Sequence, residues 1–204
     1  VVDEVRLERR LQSLQHDDKP LRLVYCGRLE PRKGLNESID AISQARANGA
    51  NVTFDIIGDG VQHADLEQQV ERLGLRDVVR FLGMRVYGPE LLSDLAEYDA
   101  LLFTPLAEDT PRMIFDGYAS GLPLIGYSVA YVLEREREDG AVVSVQREPK
   151  AMANAITALD RDRSRLAERA RKAREAARYH AADAWYRRRA NWTHEAVAQH
   201  RAKV

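Results

Sequence analysis

The sequence predicts an α/β fold: a doubly wound parallel sheet of about six strands, followed by a helical C-terminal tail. Three observations carry that expectation. Short apolar runs alternate with amphipathic helical patterns over most of the chain, as in a parallel sheet wrapped by helices. Glycine-containing turns stand directly after the first three apolar runs, at Gly27, Gly58-Asp59-Gly60 and Gly83. Past residue 145 the apolar runs stop and the pattern is helical to the end. With 204 residues, 45% of them hydrophobic, the chain can bury one good core.

The first twenty residues are amphipathic and start at Val1 rather than methionine, so residues 1–20 read as a linker or helix leading in from a missing N-terminal domain. Strands are expected at 21–26, 52–57, 78–82, 99–103, 123–127 and 141–145. Helices are expected between them at about 35–48, 62–73, 88–97, 111–120 and 129–138, and then at about 149–160, 162–178 and 181–201. Right-handed crossovers place ligands at the carboxyl ends of such strands. Pro111 suits the first turn of its helix, with Thr110 or Asp109 as the cap.

Charge and cysteine content narrow the function classes. The net charge is −1, which argues against general nucleic-acid binding. Residues 161–189 nevertheless hold eleven Arg or Lys against four Asp or Glu, leaving the rest of the chain at −8. A basic segment next to Trp185 and Tyr186 admits peripheral contact with an anionic membrane, against the commoner role of a solvated face. Cys26 is the single cysteine, so no internal disulfide forms, and a reducing, cytoplasmic compartment fits. Cys26 reads as a small buried apolar residue. No apolar stretch nears the ~20 residues of a membrane span. The five histidines are scattered, and no metal-ligand cluster appears.

Two loops carry the chemistry. Gly27-Arg28-Leu29-Glu30-Pro31-Arg32-Lys33-Gly34 runs from the first strand into a helix. A helix start offers free N–H groups and a positive dipole end, and Arg28 and Lys33 add two full charges, a pattern suited to phosphate. The second loop leaves the fourth strand as Thr104-Pro105-Leu106-Ala107-Glu108-Asp109-Thr110-Pro111 and enters a helix containing Asp116. Glu108 and Asp116 are placed either to accept hydrogen bonds from a polar ligand's hydroxyls or to complement the helix dipole. The Gly58-Asp59-Gly60 turn has His63 where a dinucleotide fingerprint needs its third glycine, so NAD binding is disfavoured. Gly58 and Gly60 are equally well read as a tight turn or as ligand contacts. Tyr87 and Tyr118 read as half-buried tyrosines, Trp185 and Trp192 as core or interface residues seven apart on one helix, and the Asn191-Trp192-Thr193 sequon as chance.

Taken together, G-R-L-x-x-x-K-G, G-D-G, V-x-F-L-G and T-P-x-x-E-x-T-P-x-x-x-x-D-x-x-A-S-G-x-P-L-I occur in one order over roughly residues 20–200. That combination resembles the C-terminal, donor-binding domain of the family 4 (group 1) retaining glycosyltransferases, which have the GT-B fold, a pair of Rossmann-like domains. The resemblance implies a nucleotide-sugar-binding domain over 21–178, a C-terminal crossover helix over 179–204, and transfer of a hexosyl group from a UDP- or GDP-linked sugar with retained configuration. It implies that Arg28 and Lys33 hold the donor diphosphate and stabilise the leaving group, that Glu108 meets the transferred sugar, and that Asp116 takes the ribose hydroxyls. Backbone at Met84 and Arg85, after Gly83, would meet the base; N–H groups near Thr110, Pro111, Arg112 and Met113 would add to a metal-independent phosphate site lined by Gly27, Gly34, Gly58 and Gly60. No cofactor and no nucleic acid is implied, and the acceptor site would belong to the missing N-terminal domain, so that the fragment alone would not transfer sugar. The family's usual Glu is Asp116 here, its usual Ala is Gly117, and Ser128-Val129-Ala130-Tyr131 lacks paired glycines. The alternatives are a nucleotide-sugar epimerase of GT-B fold and a non-catalytic nucleotide-sugar-binding module.

Overall fold

A computed structural model describes residues 2–14, 19–110 and 112–201, with the side chains of residues 199 and 201 left aside. Six strands form one parallel sheet: β1 (Leu21–Cys26), β2 (Val52–Ile57), β3 (Val79–Gly83), β4 (Ala100–Phe103), β5 (Leu124–Tyr127) and β6 (Val142–Val145). Their spatial order is β3-β2-β1-β4-β5-β6. The order reverses between β1 and β4, where Leu23 pairs with Ala100 and Val24 with Leu101. Sheets of this kind open a crevice at that reversal, at the carboxyl ends of the strands. Each strand lies within a residue or so of its sequence expectation, because buried parallel strands are written as compact apolar runs.

The helices are α1 (Glu4–Leu14), α2 (Leu35–Ala47), α3 (His63–Arg72), α4 (Pro89–Leu95), α5 (Met113–Ala119), α6 (Ala130–Asp139), α7 (Pro149–Arg161), α8 (Ser164–His180) and α9 (Ala182–Arg201). They cover both faces of the sheet, and the side chains of each strand alternate between two cores. Leu23 and Tyr25 of β1 join Leu102 of β4 and Ile125 of β5 on the face covered by α2, α3 and α7. Val24, Leu101, Phe103 and Leu124 face the opposite core with Ile114 and Tyr118 of α5. A carboxylate inside the sheet, Asp55, is satisfied by Arg80 at 2.7 and 2.6 Å and by the Tyr98 hydroxyl at 2.7 Å.

Several expectations change in three dimensions. Helix α1 packs on this domain: Leu7, Leu11 and Leu14 are buried in the main core, and the Arg10 guanidinium donates to the carbonyls of Ala96, Ser120 and Gly121. The basic segment helps to seat it, since Arg171 pairs with Glu8 at 2.8 Å and Arg174 with Glu4 at 3.4 Å. Tyr118 is fully buried rather than half-buried. Trp185 and Trp192 are exposed on α9 and meet edge to face, their centroids 6.3 Å apart, rather than sitting in a core. Helix α5 starts at Met113 with Arg112 rather than Asp109 or Thr110 in the cap position and no side-chain cap, and Asp109 pairs with Lys33 instead. No helix among the described residues is long and apolar enough to cross a membrane.

Candidate functional site

The loop after β1 is held from below and from both sides. The Tyr25 hydroxyl donates to the Arg28 carbonyl at 2.9 Å, fixing the backbone at the loop's first cation. A Cβ at Gly27 would stand 2.8 Å from that hydroxyl, so glycine makes room for the strut. On the β2 side, Leu29 N–H donates to Asp59 O at 3.0 Å and Leu29 O accepts from Gln62 N–H at 3.1 Å. Gly58, at φ 140°, lets the two loops touch: a Cβ there would overlap the Gly27 carbonyl oxygen, and one at Gly60 would stand 2.5 Å from Leu29 O. Loop-to-loop packing thus accounts for both glycines of the Gly58-Asp59-Gly60 turn.

On the other side, the loop after β1 meets the loop after β4 across the reversal in strand order. The Thr104 hydroxyl donates to Gly34 O at 2.8 Å and lies 2.6 Å from the Ser38 hydroxyl; Leu106 N–H donates to Arg32 O at 3.0 Å. Gly34 has the left-handed φ of 66° and abuts the Thr104 carbonyl, ending a 3₁₀ turn over Pro31–Lys33 just before α2. Lys33, nearly buried, directs its ammonium to the Asp109 carboxylate. Arg28, with its side chain 71% exposed, pairs with Glu30 at 2.8 Å, and Arg32 pairs with Glu30 at 2.9 Å and with Asp109 at 3.5 Å. Asp109, read from sequence as a helix cap, is instead the acid that joins the two loops. Nothing local signals this, because its partner is 76 residues away.

Glu108 is exposed, and its Oε1 accepts from the N–H of Ala130, the first residue of α6, at 3.0 Å. An acid at that position complements the helix dipole, though on a different helix from the one expected. Asp116 lies in the first turn of α5 and accepts from the Tyr87 hydroxyl at 3.0 Å, while the Arg112 guanidinium sits 4.8 Å above the Tyr87 ring. Burial raises the Asp116 pKa, against the opposing effects of the Tyr87 hydrogen bond and of Arg112. Burial, and secondarily the charge of Asp116, pushes the nearby Cys26 thiol up to about 11, so it is protonated at neutral pH. Tyr87 is itself exposed, contrary to its half-buried expectation, and reaches Asp116 because the segment from Met84 to Tyr87 projects from the end of β3.

The candidate residues therefore gather at the carboxyl ends of β1, β2, β3 and β4, except that Pro111 lies outside the described residues. Thr110 and Arg112 are exposed beside it, and Met113 is partly buried. Gly83, at φ 68°, turns the chain out of β3, and its carbonyl accepts from Gly58 N–H at 2.9 Å. A cavity of about 600 Å³ lined by Arg6, Arg10 and Glu97 lies away from these loops, and one of about 590 Å³ is lined by Asp55, Arg80 and Tyr98. Arg85 lines the second cavity. No group of three or more His, Cys, Asp or Glu among the described residues is arranged to hold a metal ion.

Comparison with known proteins places this surface in context. Residues 20–162 match the family described as glycosyl transferases group 1. Among curated proteins, the chain is 31% identical over 160 residues to an α-D-kanosaminyltransferase of Streptomyces kanamyceticus, a match that covers 76% of this chain and 40% of that protein. It is 30% identical over 122 residues to the GtfA subunit of a UDP-N-acetylglucosamine–peptide N-acetylglucosaminyltransferase of Streptococcus gordonii, covering 60% of this chain and 23% of that one. Among solved structures, Anabaena HepE in complex with UDP superposes with a TM-score of 0.69 at 26% identity, over 86% of this chain and 48% of HepE. The chain thus spans less than half the length of these relatives.

Proposed function

This chain belongs to the group 1 glycosyltransferases, and on that premise we propose that it is the donor half of a retaining, metal-independent hexosyltransferase that takes a UDP-linked sugar. The observation that carries the proposal is the union of a basic loop and an acidic loop across the reversal in strand order, where Lys33 meets Asp109. A loop bearing Arg28 and Lys33 at that position suits a diphosphate, the point charge of the lysine and the fork of the arginine taking different oxygens. HepE, a relative of the same fold, has been solved with UDP and with UDP-glucose, which supports uridine as the base.

In this reading Arg28 and Lys33 stabilise the nucleoside diphosphate as it leaves, an electrostatic contribution to catalysis. Glu108 exchanges the Ala130 amide for hydroxyls of the transferred sugar. Asp116 exchanges the Tyr87 hydroxyl for those of the ribose. Backbone at Met84 and Arg85 meets the base edge, and Gly27 and Gly34 let the phosphates approach the main chain. The acceptor and the opposite wall of the cleft belong to a second domain, so the chain alone binds donor without transferring it. The family assignment favours transfer over epimerisation. The departure from the family's alanine at Gly117 is weak support for the non-catalytic alternative, because packing against Leu101 accounts for it.

Calorimetric titration with UDP, GDP, ADP and TDP tests the proposal. Binding of UDP ahead of the other three is expected, and absence of binding by all four would overturn the donor-site assignment. Product analysis of the longer protein with UDP-glucose and an acceptor would then separate transfer with retention from epimerisation.

A further inference from the structure

Asp109 has no role in the binding scheme above, yet it contacts the lysine on which that scheme depends. Its Oδ2 is bonded by Lys33 Nζ and lies 3.5 Å from Arg32 Nη1. Arg32 Nε in turn donates to Glu30 Oε2 at 2.9 Å, and Glu30 Oε1 lies 2.8 Å from Arg28 Nη1. The five side chains form an unbroken row of alternating charge: Arg28, Glu30, Arg32, Asp109, Lys33. Its two ends are the cations assigned to the diphosphate, and its centre is a third cation that the binding scheme leaves unused.

Resting on that scheme, we propose that Glu30, Arg32 and Asp109 form a counterion relay: the two acids neutralise Arg28 and Lys33 while the site is empty and fall back onto Arg32 when a diphosphate arrives. The side chains of Lys33 and Asp109 are only 11% and 15% exposed. A sheltered ammonium without an anion is unfavourable, so Asp109 supplies the counterion of Lys33 and holds its side chain in place in the absence of ligand. A diphosphate brings at least two negative charges to the same ammonium, and the acid then faces like-charge repulsion at close range. Arg32 resolves the conflict, because its guanidinium already touches both acids and has five N–H donors in a fixed fork. Neither carboxylate is left unpaired. Asp109 is thus a positioning residue that tunes donor affinity, and the relay makes release of the nucleoside diphosphate easier than two free cations would.

The test is calorimetry on the 204-residue chain with UDP and, in parallel, inorganic pyrophosphate, for the wild type, Asp109→Asn, Arg32→Gln and the double variant. Asp109→Asn is expected to tighten both ligands by about fivefold or more, the size of a partly sheltered ion pair that no longer has to be given up. Arg32→Gln is expected to weaken both by a similar factor in the wild type and to have a clearly smaller effect once Asp109 is Asn, the remainder being the share of Glu30, a non-additivity specific to a shared partner. Arg32 is half exposed, so this arm reads out even if Asp109→Asn folds poorly. Weaker binding by Asp109→Asn, or an undiminished Arg32→Gln loss in the double variant, would overturn the relay while leaving the donor site standing. UDP bound unequally to pyrophosphate across the variants would do the same. Binding by Asp109→Asn with none by wild type supports the relay; binding by neither overturns both it and the donor-site assignment.

Discussion

Gly117 of α5 lies so close to Leu101 of β4 that a Cβ on the glycine would overlap the leucine side chain. Leu101 is fully buried, so any shift of its side chain has to be absorbed by the surrounding core. Alanine at 117 would gain about 0.5–1 kcal/mol of helix propensity. Overpacking a core position costs about 1–3 kcal/mol, so the clash wins. Gly117→Ala is expected to lower stability by about 1 kcal/mol, read by urea denaturation, and the loss should shrink when Leu101 is also shortened to Ala. An alanine variant as stable as the wild type would show that β4 and α5 part more easily than their packing implies.

Arg28→Ala and Lys33→Ala are each expected to weaken UDP binding by about tenfold or more. Charge-assisted hydrogen bonds to phosphate are worth roughly 1.5–3 kcal/mol apiece. Calorimetry or fluorescence titration reads the change. Unaltered affinity in both variants would remove the diphosphate from this loop.

Glu108→Gln and Asp116→Asn are expected to differ in kind. Asp116→Asn should weaken UDP and UDP-glucose alike, since ribose is common to both, whereas Glu108→Gln should mainly erase any preference for the sugar-bearing ligand. Competition titrations with the two nucleotides measure this. Equal effects of both substitutions on UDP alone would refute the division of roles.

Asp116 also links the site to stability through pH. Burial raises its folded pKa above the unfolded value. The stability it contributes is therefore fully present below the unfolded pKa and is lost as pH rises through the folded one. At neutral pH the folded chain holds a partly desolvated carboxylate, and Asp116→Asn relieves it while its amide oxygen can still accept from Tyr87. Asp116→Asn is expected to raise Tm at pH 7, with the gap to wild type closing as pH falls toward about 4, the ordinary aspartate range. A Tm difference independent of pH would show that the charge is not the cause.

The sequence by itself determined the layers of this protein. Apolar runs such as Leu21–Cys26 and Val52–Ile57, separated by amphipathic stretches, admit little but a buried parallel sheet between helices. It also placed both charged loops at strand ends, because glycines and proline punctuate the chain locally. Tertiary structure alone decided what each group touches. Leu7, Leu11 and Leu14 gave an amphipathic pattern, but only packing showed that α1 lays that face on this core. Gly117 was only a departure from the family's usual alanine until Leu101 stood against it. Asp109 looked like a cap until β1 and β4, neighbours in the sheet, brought Lys33 to it from 76 residues away. Periodicity and turn chemistry act over a few residues and are written in the sequence. Ion pairs and close approaches act between residues that only the strand order makes neighbours.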